Sequence, residues 1–406
     1  MMKQVDIYKR IALIALMGVS LAGCSTVKGW FAGKDAAAKK AQKPAELVKF
    51  EPSVTVGKMW STGVGKGEGH IGVRQRPAVA DGKVYVSAIT GGLEALDLQT
   101  GKRVWEYKPK KEERNDRKFK QRLSGGPGVG EGLVVIGTLS GDVIALNQAD
   151  GTEKWRARVP NEVIAAPAIA QSLVLVRSND GRVSAFDAAT GERRWFHAEE
   201  GPTLSVRGNA PIVTGPGVVF VGNDSGTLSA LALQDGRPLW EQAIGVPDGR
   251  TELERMSDVD GAPVIDGTTL YATSFKNETL ALEGPSGRPV WTRDHGGAGG
   301  VGVSSSVVVV SDNAGSVWGL DKSSGAAMWS QSALARRSLT GAAIQGDYAV
   351  VGDYKGYLHW LKLSDGALAA RARAGSDTLL AQPIVVDGIL LVQNTDGDIT
   401  AFRLAQ

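Results

Sequence analysis

The sequence predicts an all-β protein, an eight-bladed β-propeller of four-stranded antiparallel blades, closed by an N-terminal strand that completes the last blade. Three observations carry this prediction. The stretch Ala95 to Trp105 reads ALDLQTGKRVW, and its spacing returns as Ala145…Gly151…Trp155, Ala185…Gly191…Trp195, Ala230…Gly236…Trp240, Ala281…Gly287…Trp291 and Gly319…Gly325…Trp329. A period of roughly 40–50 residues is that of blade-forming and solenoid proteins. Second, each period resolves into short alternating segments separated by tight turns, in the first unit Asp81-Gly82, Thr90-Gly91-Gly92 and Thr100-Gly101, and Asp-Gly and Gly-Gly between alternating segments are among the strongest short-range hairpin signals. Third, proline recurs at the start of the first strand of a unit, at Pro77, Pro127, Pro167, Pro211, Pro263 and Pro383. Proline donates nothing to a ladder and belongs on an edge strand. The innermost strand of a blade, lining a central channel, is such an edge.

In chain order, the first fifty residues stand apart. Lys3, Lys9 and Arg10 precede an apolar run from Ile11 to Leu21, which ends at Ala22-Gly23-Cys24. This is the pattern of a secretory signal peptide over residues 1–23, and the run is shorter than the ~20 residues that span a bilayer. Leu21-Ala22-Gly23-Cys24 resembles the lipobox of bacterial lipoproteins, which implies that Cys24 is acylated and anchors the chain to a membrane. The resemblance implies outer-membrane sorting in a Gram-negative cell, because Ser25 rather than Asp follows the cysteine. Residues 24–52 are polar and alanine-rich and read as a lipidated N-terminus and flexible tether.

The propeller is expected over 53–406. In the first unit, Arg76 to Ala80, Lys83 to Ala88, Leu93 to Leu98 and Arg103 to Tyr107 are the four strands. Second strands recur as Leu133–Gly137, Leu173–Arg177, Val218–Gly222, Leu270–Thr273, Val307–Ser311, Tyr348–Gly352 and Ile389–Gln393, which makes eight units. The eighth has a third strand, Asp398 to Leu404, but no fourth; Ser53 to Trp60 can supply it and close the ring. The tryptophans expected to dock blade on blade are Trp60, Trp105, Trp155, Trp195, Trp240, Trp291, Trp329 and Trp360. In the seventh unit Ala370 stands at the tryptophan position and Trp360 at the alanine position. Bulk has moved from the fourth strand to the third, with core volume roughly kept.

Charge and composition narrow the function. The formal net charge is +3, and Lys3, Asp6, Lys9 and Arg10 of the leader account for +2 of it. A nearly neutral body is not a nucleic-acid binder on electrostatic grounds. The single cysteine excludes an internal disulfide, multi-cysteine metal sites and haem attachment. The four histidines, His70, His197, His295 and His359, lack metal-ligand spacing, and no nucleophile–base pair emerges, so no enzyme, metal or cofactor is expected. Asn and Asp at the turns are hairpin chemistry. The stretch from Glu106 to Arg122 reads as a solvated, mobile charged loop. The glycine runs from Gly63 to Gly67 and Gly296 to Gly302 read as flexible linkage between strands.

The phrase A-x-D-x-x-T-G-x-x-x-W resembles the tryptophan-docking repeat of quinoprotein propellers. Two families share it. Quinoprotein dehydrogenases would imply a quinone, a calcium and often an adjacent cysteine pair; no cysteine lies beyond Cys24. The lipobox, tether, eight units and swapped closing strand resemble instead the propeller lipoproteins of the outer-membrane β-barrel assembly machinery. Leu204-Ser205-Val206-Arg207-Gly208 and Arg255-Met256-Ser257-Asp258-Val259-Asp260 resemble two segments through which that family contacts the POTRA region of the barrel-forming subunit, with Val206 in place of the more usual leucine. Gly352 to Trp360 resembles the same family's seventh blade. The resemblance implies a non-enzymatic scaffold. Its expected partners are the POTRA domains, through them the other lipoproteins of the machinery, and unfolded outer-membrane proteins.

Repeat phase places both segments independently of any family. Each precedes a first strand, so each is a blade-to-blade connection, and these connections share one face with the second-to-third strand turns. Two readings of the residues stay open. Leu204, Val206 and Arg207 form an exposed interface core, with Asp258 and Asp260 orienting Arg207 or accepting donors from the partner. Alternatively, Leu204 and Val206 pack under the loop and the aspartates cap turns.

Overall fold

The computed structural model describes residues 43–67, 73–109, 111–114, 117–199, 210–245, 250–251 and 257–405. Residues 1–46 form one unit, of which 43–46 are described and carry no regular secondary structure; residues 47–406 form the other. The second unit contains eight four-stranded antiparallel sheets, each built from consecutive strands except the last. In the eighth, Val56–Gly63 pairs antiparallel with Asp398–Leu404, from Val56 opposite Leu404 to Gly63 opposite Asp398. The N-terminal strand therefore closes the ring, three residues further along than the sequence suggests.

Both faces of every sheet are buried, which explains the near-continuous apolar second and third strands. Val84, Val86 and Ala88 of blade 1 pack toward Ile389, Leu391 and Ile399 of blade 8, whereas Tyr85 and Leu93 pack toward Val134 and Ile136 of blade 2. The same alternation continues round the ring through six further clusters, the last joining blade 7 to blade 8. Period-2 side-chain direction thus becomes a closed circle of inter-blade cores.

The repeat phrase is the clamp between blades. Within each blade the small residue of the third strand lies opposite the tryptophan of the outer strand, as in Ala95 with Trp105 and Ala145 with Trp155, and a bulge follows at once. The indole reaches into the next blade. Its Nε1 donates to a main-chain carbonyl there at 2.7–3.1 Å, from Trp60 to Leu98 through Trp329 to Leu363. The ring lies on the motif glycine of that blade's turn. At Gly101, Gly151, Gly191, Gly236, Gly287, Gly325 and Gly366, φ is 68–74° and a Cβ would sit 2.4–2.7 Å from the indole. One glycine serves the left-handed turn and makes room for the neighbour's tryptophan. The motif acid caps the same turn: Asp97 accepts from Thr100 N at 2.8 Å and Thr100 Oγ1 at 2.6 Å.

Blade 7 departs from this pattern for a topological reason. Because the outer strand of blade 8 comes from the other end of the chain, no turn joins its third and outer strands, and a tryptophan at 370 would find no glycine to dock on. Trp360 instead lies opposite Ala370, is fully buried, donates to Gln345 Oε1 at 2.8 Å and meets Phe402 edge-on at 6.0 Å.

Two sequence expectations need correction. Within the charged stretch from Glu106 to Arg122, Lys111–Arg114 and Arg117–Lys120 pair as a two-stranded hairpin. Neither glycine run is flexible linkage: Gly63 ends the closing strand and a Cβ on Gly65 would sit 2.5 Å from Gly91 Cα, and in the run from 296 to 302 a Cβ on Gly299 would sit 2.5 Å from Gly341 N, and one on Gly341 2.0 Å from Gly299 O. Gly299 and Gly341 let the backbones of neighbouring blades touch near the axis.

Candidate partner-binding face

The connection leaving blade 4 runs from its outer strand, Pro238–Ala243, to the next inner strand, Val264–Asp266. Its first residues are tied down, with Ile244 N and Gly245 N both donating to Gly226 O at 2.8 and 2.9 Å. Its last residues are wedged between two second-to-third strand turns. Val259 N donates to Asn223 O at 3.1 Å and Ser257 Oγ to Ser225 O at 3.2 Å in blade 4, while Phe275 N of blade 5 donates to Asp258 O at 2.9 Å. The segment is therefore fixed at its base.

Asp258 and Asp260 are buried, at 0% and 4% exposure. That burial takes both carboxylates out of direct surface contact and leaves them as a foundation under the face. Burial pushes the Asp260 carboxyl up to about 8; Arg74, whose Nη2 is 3.9 Å away, pulls it back, while the Asp258 and Asp224 carboxylates push it further up. Next to it lies a cross-blade ion pair, Arg177 Nη2 to Asp224 Oδ1 at 2.7 Å, joining blades 3 and 4 with the arginine side chain 1% exposed. Leu204, Val206, Arg207, Arg255, Met256 and Cys24 lie outside the described residues. Ala210, where the connection from blade 3 resumes, is buried at the axis side of the same face.

Arg177 and Asp224 were not singled out from sequence, yet a signal was there. The last residue of the second strand is otherwise Ala88, Gly137, Gly222, Thr273, Ser311, Gly352 or Gln393, and Arg177 is the one charge in that phase. A charge at a repeat position that is elsewhere small or neutral marks a local departure from architecture.

A second buried network sits in blade 7. Asp353 Oδ1 accepts from Lys355 N and Tyr357 N, and its Oδ2 bonds Arg337 Nε at 2.7 Å and His359 Nε2 at 3.0 Å. Arg371 Nε donates to His359 Nδ1 at 3.2 Å, so the neutral ring carries its proton on Nε2 and donates to Asp353. Burial lowers the His359 pKa; burial also pushes Asp353 up, but the bonds from His359 and Arg337 outweigh it and hold the carboxylate below its usual range. Arg371 in turn donates to Val48 O at 3.0 Å and stacks over Phe50, fastening residues 48–50 to the outer strand of blade 7. This network is structural. Among the described residues, no group of acidic, histidine or cysteine side chains has the arrangement to hold a metal.

A family model described as outer membrane protein assembly factor BamB matches residues 41–117, 109–331 and 320–405. An outer membrane protein assembly factor BamB from Xanthomonas campestris pv. campestris is 95% identical over 406 residues, covering 100% of both chains. The crystal structure of BamB from Moraxella catarrhalis superposes with a TM-score of 0.76 at 24% identity, over 86% of this chain and 100% of that one. Quinohemoprotein alcohol dehydrogenase from Comamonas testosteroni aligns with a TM-score of 0.66 at 15% identity, over 88% of this chain and 78% of its own, a likeness of fold alone.

Proposed function

The chain belongs to the family of the outer membrane protein assembly factor BamB, and from that premise we propose that it is a lipid-anchored scaffold presenting the connection face of blades 3 and 4 to the barrel-forming subunit (BamA). It is an outer-membrane-associated assembly factor and not an enzyme. In the fuller reading, Cys24 carries the acyl chains and the propeller hangs in the periplasm on residues 24–52. Leu204, Val206 and Arg207 meet the POTRA domains, and through them the chain joins the other lipoproteins and assists insertion of outer-membrane β-barrels.

One observation carries the site assignment. The base of the second segment, Ser257 to Asp260, is buried and bonded to turns of blades 4 and 5, while Arg177–Asp224 locks blade 3 to blade 4 beside it. The end of the second connection and the blade 3–blade 4 boundary beside it thereby form one rigid base, and a preorganised base lowers the entropy cost of binding. An arginine flanked by aliphatic side chains on such a base has the composition of an interface hot spot. In this reading Asp258 holds the loop through its main-chain carbonyl and Asp260 lies buried beneath it, and neither touches the partner.

The test is co-purification of the full-length lipoprotein with the barrel-forming subunit from membranes. Capture is expected with the native chain and lost with Leu204→Asp combined with Arg207→Glu. Undiminished capture by a folded double variant would refute the assignment. Replacing Cys24 by alanine should release the protein to the soluble fraction; retention in the membrane would contradict the anchor.

A further inference from the structure

The connection-face end of the central channel is a cavity of about 450 Å³, within the range of small-molecule sites. Its wall is largely aliphatic, with Val79, Ile164, Ile212 and Ile384 among the lining side chains. The residue before each inner-strand proline is Gly126, Ala166, Ala210, Ala262 or Gln382 in other blades, and Arg76 in blade 1. Arg76 is thus a cation placed where the repeat elsewhere puts small or neutral groups.

The polar groups in this wall are unevenly satisfied. Gln382 spends its amide on Val301 O and Ala342 O, at 2.9 and 2.6 Å. Arg74 donates to Ala298 O at 2.7 Å and approaches Asp260 at 3.9 Å. Arg76 has no hydrogen-bond or ion-pair partner among the described residues, and its Nε is buried and unbonded. Burial lowers its pKa only to about 10, so it is cationic at neutral pH. Asp260, in the same wall, has both oxygens without a hydrogen bond. With its pKa near 8, it is mostly protonated at pH 7 and does not neutralise the arginine. Arg76 is partly buried, and a guanidinium that loses part of its hydration with its Nε unbonded and no counter-charge among the described residues is destabilising. An anion offering two acceptor oxygens in a plane offsets that cost through the bidentate geometry of arginine with carboxylate.

We propose that the channel mouth is a binding site for an organic monocarboxylate, its carboxylate paired with the fork of Arg76 and its apolar body against Ile164, Ile212 and Ile384. The aliphatic wall selects a carboxylate with a hydrocarbon body over a heavily hydrated phosphate. The carboxylate is either that of a free small acid or that of an acidic side chain on a bound protein. The proposal stands apart from the partner assignment, because it is tested on the chain alone.

The test is calorimetric titration of the full mature chain with isovalerate, its neutral isostere isovaleramide, and inorganic phosphate at matched ionic strength. Saturable isovalerate binding is expected, at least tenfold tighter than either control. Arg76→Gln should weaken it at least tenfold, and Arg76→Lys should recover part of the loss. In the absence of ligand, Arg76→Gln should unfold at the same or higher denaturant concentration than wild type, the opposite of what a purely structural arginine predicts. Isovalerate binding no tighter than isovaleramide, or unchanged by Arg76→Gln, would overturn the site. A capped Ala-Glu-Ala peptide supplies the second arm. Displacement of isovalerate supports a protein-borne carboxylate, and failure to displace it supports a free acid.

Discussion

Gly217 and Gly236 lie in the same blade with the same φ of 73°, yet they face different surroundings. A Cβ on Gly217 would meet nothing within 4 Å, whereas one on Gly236 would fall 2.4 Å from Cε3 of Trp195. Alanine at 217 should therefore cost only the left-handed backbone, about 1–2 kcal/mol. Alanine at 236 carries the same strain plus the displacement of a docked indole, a further ~1–3 kcal/mol typical of overpacking. Denaturant unfolding by circular dichroism, read as the shift in midpoint at constant slope, measures both. The double-mutant cycle isolates the docking term: in a Trp195→Ala background the extra cost at 236 should vanish, giving a coupling of at least ~1 kcal/mol. Equal destabilisation by Gly217→Ala and Gly236→Ala would refute the idea that the motif glycine exists to receive the neighbour's tryptophan.

Three further outcomes follow from the same geometry. Asp260 has a folded pKa of about 8, above its unfolded value, so the folded state holds the extra proton and stability falls as pH rises from about 4 toward 8. Three pH units at about 1.4 kcal/mol each give a loss of order 4 kcal/mol between pH 5 and 8, which Asp260→Asn should remove; reading wild type against that variant at each pH cancels the opposing contribution of His359. Asp224→Asn leaves Arg177 buried without its partner and should cost ~3 kcal/mol, and pairing it with Arg177→Met should recover most of that in thermal or denaturant unfolding. Trp360→Ala should cost ~3–5 kcal/mol, and adding Ala370→Trp should not restore it, since blade 8 offers no turn glycine; rescue would contradict the topological account of blade 7.

Much of this architecture was legible in the sequence because it rests on local chemistry repeated eight times. Turn residues at fixed offsets give the hairpins, and the exchange of Trp360 with Ala370 announces a cross-strand pair of conserved total volume, which the register reproduces. Where local pattern is silent, the reading failed or stopped. Lys111–Arg114 and Arg117–Lys120 alternate no apolar face, so their pairing leaves no periodic trace. Glycine from 296 to 302 looks the same whether it serves flexibility or close backbone approach, and only the neighbouring blade decides. The burial of Asp258 and Asp260 depends on turns of two blades, one upstream and one downstream, as Asn223 O bonding Val259 N and Asp258 O bonding Phe275 N illustrate. Arg177 and Arg76 were visible as charges out of phase with the repeat, a signal that emerges only when the units are laid over one another.

The central claim is that binding resides in the irregular connections and not in the repeat that holds them. Affinity of the full mature chain for the POTRA domains of the barrel-forming subunit, measured for wild type, Arg207→Glu and Arg288→Glu, tests it directly. Arg288 sits in a third-to-outer strand turn on the opposite face and is exposed. The account predicts at least a tenfold loss for Arg207→Glu, corresponding to at least ~1.4 kcal/mol, with Arg288→Glu within twofold of wild type. Equal effects from the two substitutions, or none from Arg207→Glu, would contradict it.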